Sequence, residues 1–171
     1  MSVIATTEPS RAATRGGKYL TFGLGREEYG LEILKVREIF GYMDITAVPH
    51  TPAHVKGVIN LRGQVISVID LRSRFDMPAT ERTEKTCIIV VELNAHGQRI
   101  NMGIIVDRVS EVLNIPGAQI EDAPSFGTRI DTSFILGMGK IGSSVKLLLD
   151  IDNILTSSAS ITTPEPETLA A

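Results

Sequence analysis

Apolar positions in this chain come in short runs separated by turn formers every several residues, a rhythm of small β-structures rather than of long helices. Tyr19-Leu20-Thr21-Phe22 meets a Gly23-Leu24-Gly25 turn, and Glu28-Tyr29-Gly30-Leu31 returns as a second strand. The segment 33–39 is ambiguous, because its apolar spacing also suits a short helical turn. Thr51-Pro52-Ala53-His54-Val55-Lys56-Gly57 reads as one capped helical turn, with Thr51 accepting from orphan N–H groups, Pro52 in the first position and Gly57 closing it. Next, Val58-Ile59-Asn60-Leu61 enters an Arg62-Gly63 turn and returns over 64–71 as a hairpin rich in Val and Ile. Segments 87–93, 100–106, 134–140 and 145–150 read as further strands. Asp150-Ile151-Asp152-Asn153-Ile154-Leu155 offers a closing helical turn with an Asp at its start.

Part of this pattern occurs twice. Gly30-Leu31-Glu32-Ile33-Leu34-Lys35-Val36-Arg37-Glu38-Ile39 returns as Gly103-Ile104-Ile105-Val106-Asp107-Arg108-Val109-Ser110-Glu111-Val112. Gly57, Val65, Val68, Ile69, Asp70 and Leu71 match Gly137, Val145, Leu148, Leu149, Asp150 and Ile151 at one constant offset, and Ile45 and Pro49 stand in step with Ile120 and Pro124. Three echoes in the same order indicate two similar half-domains, each with room for about five strands. Two small barrels are the architecture expected of them, and the seam between alike lobes is a common place for ligands and partners.

The ends differ from the middle. Residues 1–16 and 157–171 are rich in Ser, Thr, Ala, Pro and charge without apolar periodicity, and are expected to be flexible tails. The folded body is expected over 17–156, with a first barrel over roughly 17–82, a second over roughly 83–156, and strand exchange between them left open. A net charge of −3 argues against a nucleic-acid footprint, and 5% aromatic content without Trp leaves little for base stacking. The single cysteine, Cys87, fits a reducing compartment. No apolar run approaches the length of a membrane helix and no secretory signal opens the chain, so cytoplasmic residence without membrane insertion is expected.

Catalytic motifs fail on inspection. In Gly137-Met138-Gly139-Lys140-Ile141-Gly142-Ser143-Ser144, Ile141 stands where a phosphate loop needs Ser or Thr, so a glycine-rich hairpin is the better reading. His50 and His54 have zinc-helix spacing, but Pro52 lies between them and His96 is far away in a polar loop. Cys87 opens an apolar run and reads as a small buried hydrophobe. Asp70 and Asp150 occupy equivalent positions after strands, which suggests a repeated capping role. Neither an enzyme nor a cofactor is expected.

Binding explains more. Arg62 stands at a hairpin tip, as an interface anchor or a solvated turn residue. Val36 and Glu38, with Val109 and Val112, lie in the repeated segments, either facing the seam or packing in the core. Phe126, between Pro124 and Gly127, is a loop aromatic that anchors a partner or tucks into its own core.

At these residues the chain strongly resembles the CheW family of bacterial chemotaxis adaptors. The likeness runs from Tyr19 to about Leu155 and is most specific at Glu27-Glu28-Tyr29-Gly30, Ile33-Leu34-Lys35-Val36, Lys56-Gly57-Val58, Asn60-Leu61-Arg62-Gly63 and Val68-Ile69-Asp70-Leu71. The resemblance implies an all-β fold with short helices, in which two five-stranded barrels of the Src-homology-3 type intertwine. It implies an adaptor joining the cytoplasmic tips of chemoreceptors to the regulatory domain of the histidine kinase CheA, recruited to membrane-associated arrays. Carried over by position, Val36, Glu38, Gly57, Arg62, Val109 and Val112 are expected to engage receptor, and Phe126 the kinase or further copies of the adaptor. Ser125 and Glu121 depart from the family's charge pattern near that second contact. The chain has no room for a kinase or receiver domain, which favours the free adaptor.

Overall fold

The structure, a computed structural model, describes residues 16–95, 97–122 and 134–156. The expected tails, His96, Pro124, Ser125 and Phe126 therefore lie outside the described residues.

Among the described residues eleven strands and two short helices follow one another: β1 (Gly17–Leu24), β2 (Glu27–Glu32), a 3-10 turn (Ile33–Lys35), β3 (Val36–Gly41), β4 (Val55–Leu61), β5 (Gln64–Asp70) and α1 (Leu71–Arg74) come first. Then come β6 (Cys87–Ala95), β7 (Gln98–Val106), β8 (Arg108–Ile115), a 3-10 turn (Gly117–Gln119), β9 (Ile120–Glu121), β10 (Ile135–Ile141), β11 (Ser144–Leu149) and α2 (Ile151–Thr156). The ambiguous segment 33–39 resolves into one 3-10 turn followed by a strand. Asp70 accepts from the Arg72 N–H at 3.1 Å and Asp150 from the Asn153 N–H at 3.1 Å, so each helix begins on the capping Asp read from the repeat.

One expected element is corrected. Residues 51–57 do not form a capped helical turn: the Val55 N–H closes a single turn onto the Pro52 carbonyl at 3.0 Å, and β4 has begun by Val55. The Thr51 hydroxyl donates to the Val48 carbonyl at 3.0 Å instead of receiving N–H groups. Strand pairing with β5 over Val55 to Leu61 supplies the β4 residues with partners that an isolated turn could not.

The strands build two sheets, one ordered β8-β1-β2-β11-β10-β9 and one ordered β3-β6-β7-β5-β4. Each sheet mixes strands from both halves. β1 and β2 join strands of the second half, while β6 and β7 join strands of the first. The chain crosses between sheets at β2–β3 and again at β7–β8. This is the arrangement of two intertwined Src-homology-3-like barrels, and only the two-residue β9 exceeds five strands in a sheet. Its counterpart in the other sheet is the isolated bridge Thr46↔Val58, which matches Glu121↔Met138 by repeat position.

Detailed geometry repeats as well. β4 pairs β5 with a bulge between Val55 and Gly57, and β10 pairs β11 with a bulge between Ile135 and Gly137. The parallel contacts at the exchange are Gly30 beside Leu148 and Gly103 beside Val68. A Cβ on Gly30 would lie 2.8 Å from Leu148 Cδ2, and one on Gly103 would lie 3.0 Å from Ile88 Cγ2. At Gly30 the exchanged strand leaves no room for a side chain, while at Gly103 the tightest neighbour is Ile88 on β6, with Val68 of the exchanged β5 at 3.4 Å. The main core lies between the sheets, joining Leu20, Phe22 and Leu31 of one with Ile89, Val91 and Ile104 of the other. Smaller clusters around Ile59, Ile66 and Val68, and around Tyr19, Ile115 and Leu148, fill the individual barrels.

Candidate functional site

The β4–β5 hairpin ends in the two-residue turn read from the sequence. Arg62 and Gly63 both have positive φ, 51° and 87°, as the twist of a tight hairpin requires. The Asn60 side chain accepts from the Gly63 N–H at 2.9 Å and fixes the turn. Arg62 is thereby aimed at Glu38 on β3, with Nη2 donating to Oε2 at 2.5 Å. The two line an open cleft of about 340 Å³ with Arg37, Leu61, Gln64, Ile66, Val90 and Asn101. The Arg62 side chain is 67% exposed, so a partner can reach it without unfolding the turn.

Other candidates fall elsewhere. Val36 on β3 and Val109 on β8 are half-buried against the same inter-sheet core, which they flank from the edge strands of opposite sheets. Val112 on β8 is 49% exposed. Gly57 is buried in β4 and presents no side chain; its backbone approaches the Thr46 carbonyl so closely that a Cβ would lie 2.0 Å from that oxygen. The structure thus joins Glu38 with Arg62, and Val36 with Val109 through one core, while Gly57 lies beneath the 46–47 segment. Glu121 on β9 receives a bond from Lys140 Nζ at 2.6 Å.

Sequence reading passed over two features here. Leu34, in the first crossover, is 91% exposed, and Val65, just after the Arg62-Gly63 turn, is 72% exposed. Both sit inside apolar runs. Asp107, in the second crossover, accepts from Arg72 Nη2 at 2.8 Å, Arg72 Nε at 3.0 Å and the Gly25 N–H at 2.7 Å. Burial works against its charge, but these donors and the Arg72 cation hold the carboxyl below the usual range. The repeat could have revealed this residue, since Asp107 replaces the equivalent Leu34.

Burial pushes the Cys87 thiol up, and it donates to the Lys85 carbonyl at 3.1 Å, so it is no activated nucleophile. Burial, then Arg74, pushes the His54 imidazole down. Among the described residues no cluster of His, Cys, Asp and Glu could hold a metal, and no helix is long and apolar enough to cross a membrane.

Comparison with known proteins matches this architecture. The family model for the CheW-like domain matches residues 18–159. A chemotaxis protein CheW of Klebsiella aerogenes is 41% identical over 157 residues, covering 92% of either chain. One from Rhizobium meliloti is 35% identical, covering 88% of this chain and 96% of the relative. The crystal structure of the scaffolding protein TtCheW from Thermoanaerobacter tengcongensis superposes with a TM-score of 0.72 at 37% identity, over 81% of this chain and 92% of that one. Two exchanged barrels, a repeated crossover and a match over nearly the whole described body place the chain in the CheW family of chemotaxis scaffold proteins.

Proposed function

We propose that this chain couples the cytoplasmic tips of chemoreceptors to the regulatory domain of the histidine kinase CheA, within membrane-associated arrays, and that it does so by binding alone. Receptor binding is assigned to the cleft around Glu38 and Arg62 and to the edge-strand residues Val36, Val109 and Val112, with Gly57 acting through the backbone. Binding of the kinase, or of a further copy of the adaptor, is assigned to Phe126. One observation carries the reading: the Arg62 guanidinium is held at a rigid hairpin tip by Glu38, exposed beside an open cleft. An arginine whose orientation is already set loses little freedom on docking, which suits an interface anchor.

The test is Arg62→Asp, scored by direct receptor capture and by melting temperature. Receptor affinity is expected to fall roughly ten- to a hundredfold, the size of a lost charge-assisted contact. Melting is expected to change little, because the residue is exposed and Asp tolerates positive φ. Unchanged capture would return Arg62 to a solvated turn residue. Phe126→Ser complements it: kinase or adaptor capture is expected to weaken while receptor capture persists.

A further inference from the structure

The two valines of β8 assigned to receptor, Val109 and Val112, stand three apart in the chain. In a regular strand side chains alternate between faces, so residues three apart point to opposite sides. Here they share one. Val112 is in register with Leu20 and Val109 with Phe22, and Leu20 and Phe22 both belong to the inter-sheet core. Between those pairs β1 has one residue, Thr21, while β8 has two, Ser110 and Glu111. The extra residue is a bulge, and it turns Val112 onto the face of Val109.

The other sheet has a bulge of the same register. Val36 pairs with Val91, Glu38 with Val90 and Ile39 with Ile89. Val36 and Ile39 are the repeat counterparts of Val109 and Val112, so Val91, Val90 and Ile89 are those of Phe22, Thr21 and Leu20. There Glu38 has a register partner, Val90, whereas its counterpart Glu111 has none on β1.

A side chain takes that place. The Thr21 hydroxyl donates to the Glu111 carbonyl at 2.8 Å and accepts from the Glu111 N–H at 3.1 Å. Thr21 is fully buried, so both bonds are shielded from water. The near end of β8 is anchored separately, by the Asp107 N–H on the Gly23 carbonyl at 3.0 Å and by Arg72 on the Asp107 carboxylate. Loss of the hydroxyl therefore acts on the far part of the strand. Closing the bulge with Val109 in place would set Glu111 against Leu20 and Val112 against Tyr19, on the opposite face.

We propose that Thr21 is a positioning residue for the receptor surface: its buried hydroxyl holds the β8 bulge that puts Val109 and Val112 on one face. The positioning role rests on the proposed receptor reading of those valines, while the hold of the hydroxyl on the bulge does not.

The test compares Thr21→Val, which removes the hydroxyl but keeps the branched shape, with Thr21→Ser, which keeps the hydroxyl. Cross-strand nuclear Overhauser contacts in the free full chain report the register, through Leu20 with Val112 and Phe22 with Val109. Receptor and kinase capture are measured on the same proteins. In Thr21→Val the Leu20–Val112 contacts are expected to weaken while Phe22–Val109 contacts persist. Receptor affinity is expected to fall roughly five- to tenfold, the size of losing about half of one valine's burial, with kinase capture unchanged. Thr21→Ser is expected to restore both contacts and affinity. If Thr21→Val keeps the Leu20–Val112 contacts and receptor affinity, the backbone alone holds the bulge and the proposal is wrong. It is equally wrong if receptor and kinase capture fall together without rescue by Thr21→Ser, since Thr21 then only supports the fold. Val112→Asp tests the receptor reading separately: unchanged capture would overturn that reading and the positioning role with it, whereas the register contacts contain no receptor and report on the hydroxyl alone.

Discussion

Replacing Gly57 by Ala should unsettle this protein far more than its single added carbon suggests. Gly57 has φ of 145°, a region an L side chain enters only with strain. The new Cβ would lie 2.0 Å from the Thr46 oxygen and 2.7 Å from the Thr46 carbon, both backbone atoms that no rotamer change can clear. The 46–47 segment must move by an ångström or so, and with it the two backbone bonds joining Thr46 and Val58, each 2.9 Å long. Two such bonds at about 1 kcal/mol each, with about 1–3 kcal/mol of backbone strain, give a loss of about 3–5 kcal/mol. For a chain of this size that corresponds to a fall in melting temperature of about 10–15 °C. Urea unfolding and calorimetry measure it, with two glycines as controls. A Cβ on Gly41 meets nothing within 4 Å, so Gly41→Ala should be nearly neutral. Gly63 has open space but φ of 87°, so Gly63→Ala should lose only about 1–3 kcal/mol, the strain alone. Should Gly57→Ala melt like Gly41→Ala, the close approach to Thr46 is refuted. Should it retain its stability yet lose receptor capture, Gly57 would contact receptor directly rather than through the backbone.

Three further perturbations follow from the charges. Burial, with Asp150 and Asp152 nearby, raises the Glu32 carboxyl despite Lys35, so its contribution to stability is present in acid and lost as pH rises through the folded value. Glu32→Gln should therefore raise the melting temperature at pH 7, with the gain vanishing toward about pH 4. His54 is depressed, so stability should decline as pH falls below about 6.5 toward its folded value, and His54→Gln should flatten that part of the melting profile. Arg74 is 9% exposed, donates to the Ile154 carbonyl from Nη2 at 2.9 Å and lies over the Phe134 ring at 4.9 Å. Arg74→Met, measured by urea unfolding, should lose about 1–3 kcal/mol as that carbonyl is left without the guanidinium.

Much of this molecule was legible in the order of its residues. Short apolar runs between turn formers announced the strands, and Arg62-Gly63 announced the hairpin, because a tight turn limits which residues can occupy it. Asp70 and Asp150 announced the two helices through their capping chemistry, and the recurring glycines announced a duplication. These are local constraints, set by a residue and its immediate neighbours. Strand β8 was not read, because half of its residues are exposed and they lack a clean alternation. The 51–57 turn was misread because pairing with β5 outweighs local capping preferences. The exposure of Leu34 and Val65 was not legible, since apolar character alone does not reveal the face a residue takes. Above all, two halves of similar local pattern cannot declare through that pattern which of them a strand will join. That outcome is visible only in the tertiary structure, which brings Arg72 of the first half to Asp107 of the second and Asp152 of the second to Lys35 of the first.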